Sequence, residues 1–167
     1  MSEAISSAHL NHEFNLEAIN MKFLVINGPN LNLLGIREPG VYGSDSYDAL
    51  IHRIIASASS MHVEVETFQS NHEGAIIDKI QSARDCFDGI IINPGAFTHY
   101  SYAILDALKA VSLPAVEVHI SNIHQREEFR RTSVTAAGCD GQISGLGHFG
   151  YVAAMGYLIE KLSDHAG

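Results

Sequence analysis

Short apolar runs alternate along the chain with longer stretches in which apolar residues recur every three or four positions, a rhythm that predicts strands alternating with helices. Lys22-Phe23-Leu24-Val25-Ile26-Asn27 is a compact apolar run closed by Gly28-Pro29, which reads as a buried strand ending in a tight turn. Residues 46–60 place Tyr47, Leu50, Ile51, Ile54 and Ile55 at helical spacing, and 63–68 then alternate as a strand. Asn71 or His72 can open a second helix whose core face is Ile76, Ile77 and Ile80. Residues 88–93 form a third strand stopped by Pro94-Gly95, and a helix is expected over about 100–111. Residues 114–120 are the fourth strand, 142–144 a short fifth, and 148–162 a closing helix. This order implies an α/β domain in which a five-stranded parallel sheet is wrapped on both faces.

Polar residues gather where these strands end, the edge at which open α/β sheets place their ligands. The first group is Asn27-Gly28-Pro29-Asn30, followed by the glycine-punctuated segment 35–43 that carries Arg37 and Tyr42. Gly35, Gly40 and Gly43 let that segment act as a lid over a bound ligand. The second group is Asn93-Pro94-Gly95-Ala96-Phe97-Thr98-His99, and the third is Glu117-Val118-His119-Ile120-Ser121-Asn122 with Arg126 and Arg130 after it. Side chains alternate along a strand, so Glu117, His119 and Ser121 share one face and the carboxylate can orient the imidazole. Arg126 and Arg130 are four apart and can stack on one side of a following helical turn. The competing reading of any single group is that it caps a helix or satisfies loop backbone. Three groups on one edge point to a site.

Composition narrows the class of ligand. The 167 residues suffice for one well-buried core, taken as 21–167, while residues 1–20 are polar, contain no Lys or Arg, and are expected to be a disordered extension. The extension does not have the form of a secretory signal, and no apolar run approaches the roughly 20 residues needed to span a bilayer. A formal net charge of −9 with no basic stripe argues against nucleic-acid binding. Four of the six arginines (Arg37, Arg126, Arg130 and Arg131) nonetheless fall in two short polar blocks, which suggests a focused site for a small anion. Cys86 and Cys139 are far apart in sequence, so a disulfide framework is not expected and a reducing cytoplasmic location is.

Five ordered motifs then carry a resemblance. Asn27-Gly28-Pro29-Asn30-Leu31, Arg37-Glu38-Pro39 with Tyr42-Gly43, Gln69-Ser70-Asn71-His72-Glu73-Gly74, Asn93-Pro94-Gly95-Ala96 with Thr98-His99, and Glu117-Val118-His119-Ile120-Ser121-Asn122 closely resemble the type II 3-dehydroquinases, from about Met21 to Leu162. The resemblance implies a flavodoxin-like three-layer sandwich. It also implies a hydro-lyase that converts 3-dehydroquinate, a small anionic cyclic substrate, to 3-dehydroshikimate by trans elimination, without metal or organic cofactor. The implied reaction belongs to the shikimate pathway of aromatic amino acid biosynthesis or to quinate breakdown. The implied base is Tyr42 and the implied general acid His119, with Glu117 beside it, Arg37 supporting the base, and Asn30 helping to hold a water near the enolate. Asn93, His99, Ile120, Ser121, Arg126 and Arg130 are implied substrate contacts. Asp106 is implied to reach a neighbouring subunit's site in a homo-dodecamer built from trimers.

The chemistry fits those residue types. A β-hydroxy ketone loses water when a base removes the proton beside the carbonyl, a donor stabilises the enolate, and an acid protonates the departing hydroxyl. A free tyrosine titrates near ~10, and a cation at about 4 Å in an effective dielectric near 20 is worth roughly 4 kcal/mol toward its anion. Arg37, with Arg126 in support, is the expected source. Alternatives are weaker: His119, His124 and Glu117 lack zinc-site spacing, and the four lysines lie outside the polar groups, which disfavours a Schiff base. Gly145-Leu146-Gly147-His148-Phe149-Gly150 matches a dinucleotide fingerprint, but too little chain follows for a βαβ unit, so it is read as close strand–helix packing. Arg131 is read as a solvated charge. The fold by itself would also suit a module that binds a flavin or nucleotide.

Overall fold

The computed structural model describes residues 21–36 and 45–164. The expectations for the 1–20 extension, for the lid and for Arg37 and Tyr42 lie outside these residues. Strands β1 (Lys22–Asn27), β2 (Glu64–Gln69), β3 (Gly89–Asn93), β4 (Ala115–His119) and β5 (Gly141–Ser144) pair in parallel in the order β2-β1-β3-β4-β5. This is the flavodoxin-like order, with its topological switch between β1 and β3. The connecting helices are α1 (Tyr47–Ser60), α2 (Glu73–Ser82) and α3 (Tyr102–Val111), and α4 (Phe149–Asp164) closes the fold.

Alternation along the strands divides the core into two layers. Phe23, Val25, Ile91, Val116 and Val118 meet Leu50 and Ile54 of α1 and Tyr151, Ala154, Met155 and Leu158 of α4. Leu24, Ile26, Ile90, Ile92 and Ala115 face the other way, onto Ile76 and Ile80 of α2 and Ile104, Leu108 and Val111 of α3. Each central strand is thus buried on both faces, which explains why β1 and β3 read as continuous apolar runs. Ile55, expected in the core of α1, is 47% exposed; Leu50, Ile54 and Ala58, spaced by four, form the buried stripe instead.

Local chemistry fixes where elements begin. Ser46 caps α1 by accepting from the Ala49 amide, and Ser101 caps α3 by accepting from the Ile104 amide. The third helix runs Tyr102–Val111, close to the expected span of about 100–111, and a 3-10 turn at Gly95–His99 precedes it. Gly150, within the fingerprint-like segment, packs α4 on the sheet: a Cβ there would sit 3.0 Å from Val118 Cγ1 and 3.4 Å from Ile143 Cγ2.

The switch point is closed by backbone against backbone. The Gly28 amide donates to the Asn93 carbonyl at 2.8 Å. A Cβ on Gly28 would lie 2.3 Å from the Pro94 carbonyl oxygen, so no rotamer change could relieve the clash. Gly28→Ala is therefore expected to cost about 1–3 kcal/mol, read as a lower denaturant midpoint. An unchanged midpoint would mean that the two loops part freely.

Candidate active site

The carboxyl ends of β1, β3 and β4 open into one crevice. Pro29, Asn30, Leu31, Leu33 and Leu34 line it from the first loop, Asn93, Gly95, Ala96 and His99 from the second, and His119, Ile120, Ser121, Ile123, Arg126 and Arg130 from the third. The apolar floor and the converging polar groups are what a small ring bearing hydroxyls and a negative charge requires.

Bonded to the lining residue His119, and buried outside the lining itself, is a carboxylate with no solvent contact. Glu117 is 0% exposed, and its Oε1 accepts from Thr98 Oγ1 at 2.8 Å, Ser133 Oγ at 2.7 Å, Gln142 Nε2 at 2.8 Å and His119 Nε2 at 2.7 Å. Thr135 Oγ1 donates to the other oxygen at 2.5 Å. Burial, the largest single influence, would push the acid up; the bonds from His119, Thr135 and Gln142 and the charge of His119 outweigh it and hold the group at about 2. An ionised carboxylate can only accept, so His119 Nε2 must carry its proton. Nδ1 has no hydrogen-bond partner among the described residues and is the nitrogen left for a ligand. Nearby, the Cys139 thiol is pushed up to about 12 by burial and by the charges of Glu117 and Asp140, so it is not a nucleophile at neutral pH.

The other predicted residues take distinct positions. His99 Nδ1 lies 2.8 Å from the Thr132 carbonyl, which can only accept, so Nδ1 carries a proton. Asn30 stands at the mouth in the left-handed region (φ 67°), with its amide donating to Asn71 Oδ1 at 2.9 Å. The turn at Ile120 and Ser121 is held from outside: the Gly147 amide donates to the Ile120 carbonyl, and Ser144 Oγ donates to the Ser121 carbonyl.

Arg126 and Arg130 do not share a helical turn as their spacing predicts. Residues Ile123–Gln125 and Glu128–Arg130 form two separate 3-10 turns with Arg126 extended between them, yet both arginines line the crevice. Arg130 Nε is buried without an aligned acceptor, although Glu127 Oε2 approaches to 3.3 Å. An unmet guanidinium donor beside the crevice suits an anionic ligand. Arg131 is exposed and donates to the Arg126 carbonyl. Asp106 lies on the exposed face of α3, outside the crevice lining.

Ser133, Thr135 and Gln142 are site residues that sequence reasoning missed. Gln142 stands directly opposite Glu117 in the β4–β5 register, a relation visible only once the strands are paired. Ser133 and Thr135 look like ordinary loop residues in sequence. No lysine is among the described lining residues, and no group of three His, Cys, Asp or Glu among the described residues is placed to hold a metal.

Because the folded value of Glu117 lies below that of a free carboxyl, its ionised form contributes stability above the unfolded pKa of about 4.3, and the contribution is lost as pH falls toward about 2. The contribution is on the order of 3 kcal/mol. Urea unfolding from pH 7 to 2 should show this loss in the parent chain and a flatter profile in Glu117→Gln; identical slopes would contradict the assignment.

Comparisons with known proteins identify the family. The family model described as dehydroquinase class II matches residues 21–159. The 3-dehydroquinate dehydratase of Thermotoga neapolitana is 62% identical over 144 residues, covering 86% of this chain and 98% of that protein. A 3-dehydroquinate dehydratase of Bacillus cereus is 59% identical over 143 residues, with 86% and 98% covered. The crystal structure of a type II dehydroquinase from Butyrivibrio crossotus matches with a TM-score of 0.83 at 58% identity, covering 84% of this chain and 98% of that one. With sequence and fold matched across the whole described sheet, the chain belongs to the class II dehydroquinase family and is a hydro-lyase of that family.

Proposed function

We propose that residues 21–167 are a catalytic unit that dehydrates 3-dehydroquinate to 3-dehydroshikimate by trans elimination through an enolate. The observation that carries this reading is the pairing of an ionised, fully buried Glu117 with His119 on the wall of a crevice that Arg126 and Arg130 also line. Tyr42 takes the proton from the carbon beside the ketone, and the electron pair moves onto the carbonyl oxygen as an enolate. A water held by Asn30 donates to that oxygen. The enolate collapses, the β-hydroxyl leaves, and a proton from His119 Nδ1 converts it to water. Glu117 fixes the ring and compensates its charge while the proton is held there.

Binding follows from the remaining groups. Arg130 meets the substrate carboxylate with its unmet buried donor, and Arg126 adds positive charge. Asn93 and His99 face ring hydroxyls, and Ile120 and Ser121 border the substrate. Arg37 stabilises the tyrosinate form of Tyr42. Asp106 is exposed on α3 and outside the lining of its own crevice, which supports the reading that it serves the site of a neighbouring copy in a dodecamer built from trimers.

Purified protein mixed with 3-dehydroquinate should give a rising enone absorbance; no product under saturating substrate would overturn the reading. Variants then separate the roles. Arg130→Ala should chiefly raise KM, because the carboxylate keeps its charge from ground state to transition state. Arg37→Ala should chiefly lower kcat, by on the order of 2–4 kcal/mol, and move the rise of activity with pH to higher values. Tyr42→Phe should be worse still, and near-normal turnover in it would exclude Tyr42 as the base.

The cross-subunit role is tested by mixing. Asp106→Ala and Tyr42→Phe proteins, each impaired, should regain activity when unfolded and refolded together, since mixed assemblies contain intact composite sites. Absence of recovery in confirmed mixed oligomers would remove that role from Asp106.

A further inference from the structure

The mechanism leaves one buried phenol unused. Tyr151, in the first turn of α4, is 0% exposed and reaches between the last side chains of β1 and β3. Its hydroxyl donates to Asn27 Oδ1 at 2.7 Å and accepts from Asn93 Nδ2 at 3.1 Å. Asn27 and Asn93 are register partners on adjacent strands, where each ends an apolar file facing α1 and α4. Burial raises the phenol's pKa far above its ordinary value, so it remains a neutral donor and acceptor.

The direction of every bond in this network follows from one main-chain group. The Gly95 amide donates to Asn93 Oδ1 at 3.2 Å, and a backbone N–H has no other role available, so the Asn93 oxygen is fixed there and Nδ2 turns toward Tyr151. The phenol accepts that proton and must send its own to Asn27 Oδ1. Asn27 Nδ2 in turn lies 3.5 Å from the Tyr47 hydroxyl. An amide nitrogen carries two protons, of which Tyr151 takes one. The second has no acceptor among the described residues, and Asn93 lines the crevice.

We propose that Tyr151 is a positioning residue that holds the Asn93 amide in the orientation set by the Gly95 N–H, so that Asn93 presents an N–H donor to a ring oxygen of the substrate. The inference rests on the reading of this crevice as the dehydroquinate site. It makes Asn93 selective for a ligand oxygen with a free lone pair and unfavourable to a group that can only donate. It also explains why two asparagines and a tyrosine occupy the end of an otherwise apolar layer.

Steady-state kinetics on Tyr151→Phe, Asn93→Ala and the double variant test it, with thermal midpoints recorded for each. Loss of one well-aligned bond that persists through the reaction should raise KM about 5- to 20-fold in Tyr151→Phe while kcat changes by less than about threefold. Asn93→Ala should raise KM at least as much, and the double variant should be no worse than Asn93→Ala. A lowered midpoint with unchanged KM in Tyr151→Phe, or KM effects that multiply independently in the double variant, would overturn the proposal. Unchanged KM in Asn93→Ala would instead remove Asn93 from the substrate site, a distinguishable failure. A second measurement needs no folded Tyr151 variant. In asparagine-15N-labelled parent protein, one Nδ2 proton of Asn93 should exchange slowly and the other should shift when quinate is added; an Asn93 amide that does not respond to saturating quinate would overturn the proposal.

Discussion

A carboxylate without solvent is tolerated only where its charge is met by donors, and the arrangement of this site depends on that requirement at Glu117. The donors come from four separate parts of the chain: Thr98 from the 3-10 turn after β3, His119 from β4 itself, Ser133 and Thr135 from the loop after the arginines, and Gln142 from β5. One anion therefore ties together the loops that carry His99, Arg126 and Arg130. Removing a single donor would leave the charge buried and incompletely met, which is costlier than the loss of an average hydrogen bond.

The two faces of the sheet contribute differently to the crevice. On the α2/α3 side β4 ends in the buried carboxylate of Glu117 and the His119 ring bonded to it. On the α1/α4 side β1 and β3 end in Asn27 and Asn93, neutral amides locked by Tyr151. The carboxylate–imidazole pair and the two neutral amides thus lie on opposite faces of the sheet and meet at its edge. The switch point between β1 and β3 allows this because the connections after these two strands leave in opposite directions.

Much of this was legible in the sequence because it rests on local periodicity. The five strands, the four helices and the clustering of polar residues at strand ends follow from apolar spacing and from Gly28-Pro29 and Pro94-Gly95. The Glu117–His119 contact follows from strand alternation. What could not be read depends on pairing between distant segments. Gln142 opposes Glu117 only through the β4–β5 register, Thr135 reaches it across a loop of irregular turns, and Tyr151 meets Asn93 across 58 residues. Four-residue spacing misled at Arg126 and Arg130, since two 3-10 turns replace the helix that would have given that spacing its meaning.

The central claim is that an ionised Glu117 fixes His119 with its proton on Nε2 and leaves Nδ1 to the ligand. Nitrogen-15 chemical shifts of the His119 ring, assigned in histidine-labelled protein at a pH where the ring is neutral, report the tautomer directly. The account predicts a protonated Nε2 and an unprotonated Nδ1 whose shift changes when a substrate analogue binds; a ring protonated on Nδ1, with Nε2 bare beside the carboxylate, would contradict it.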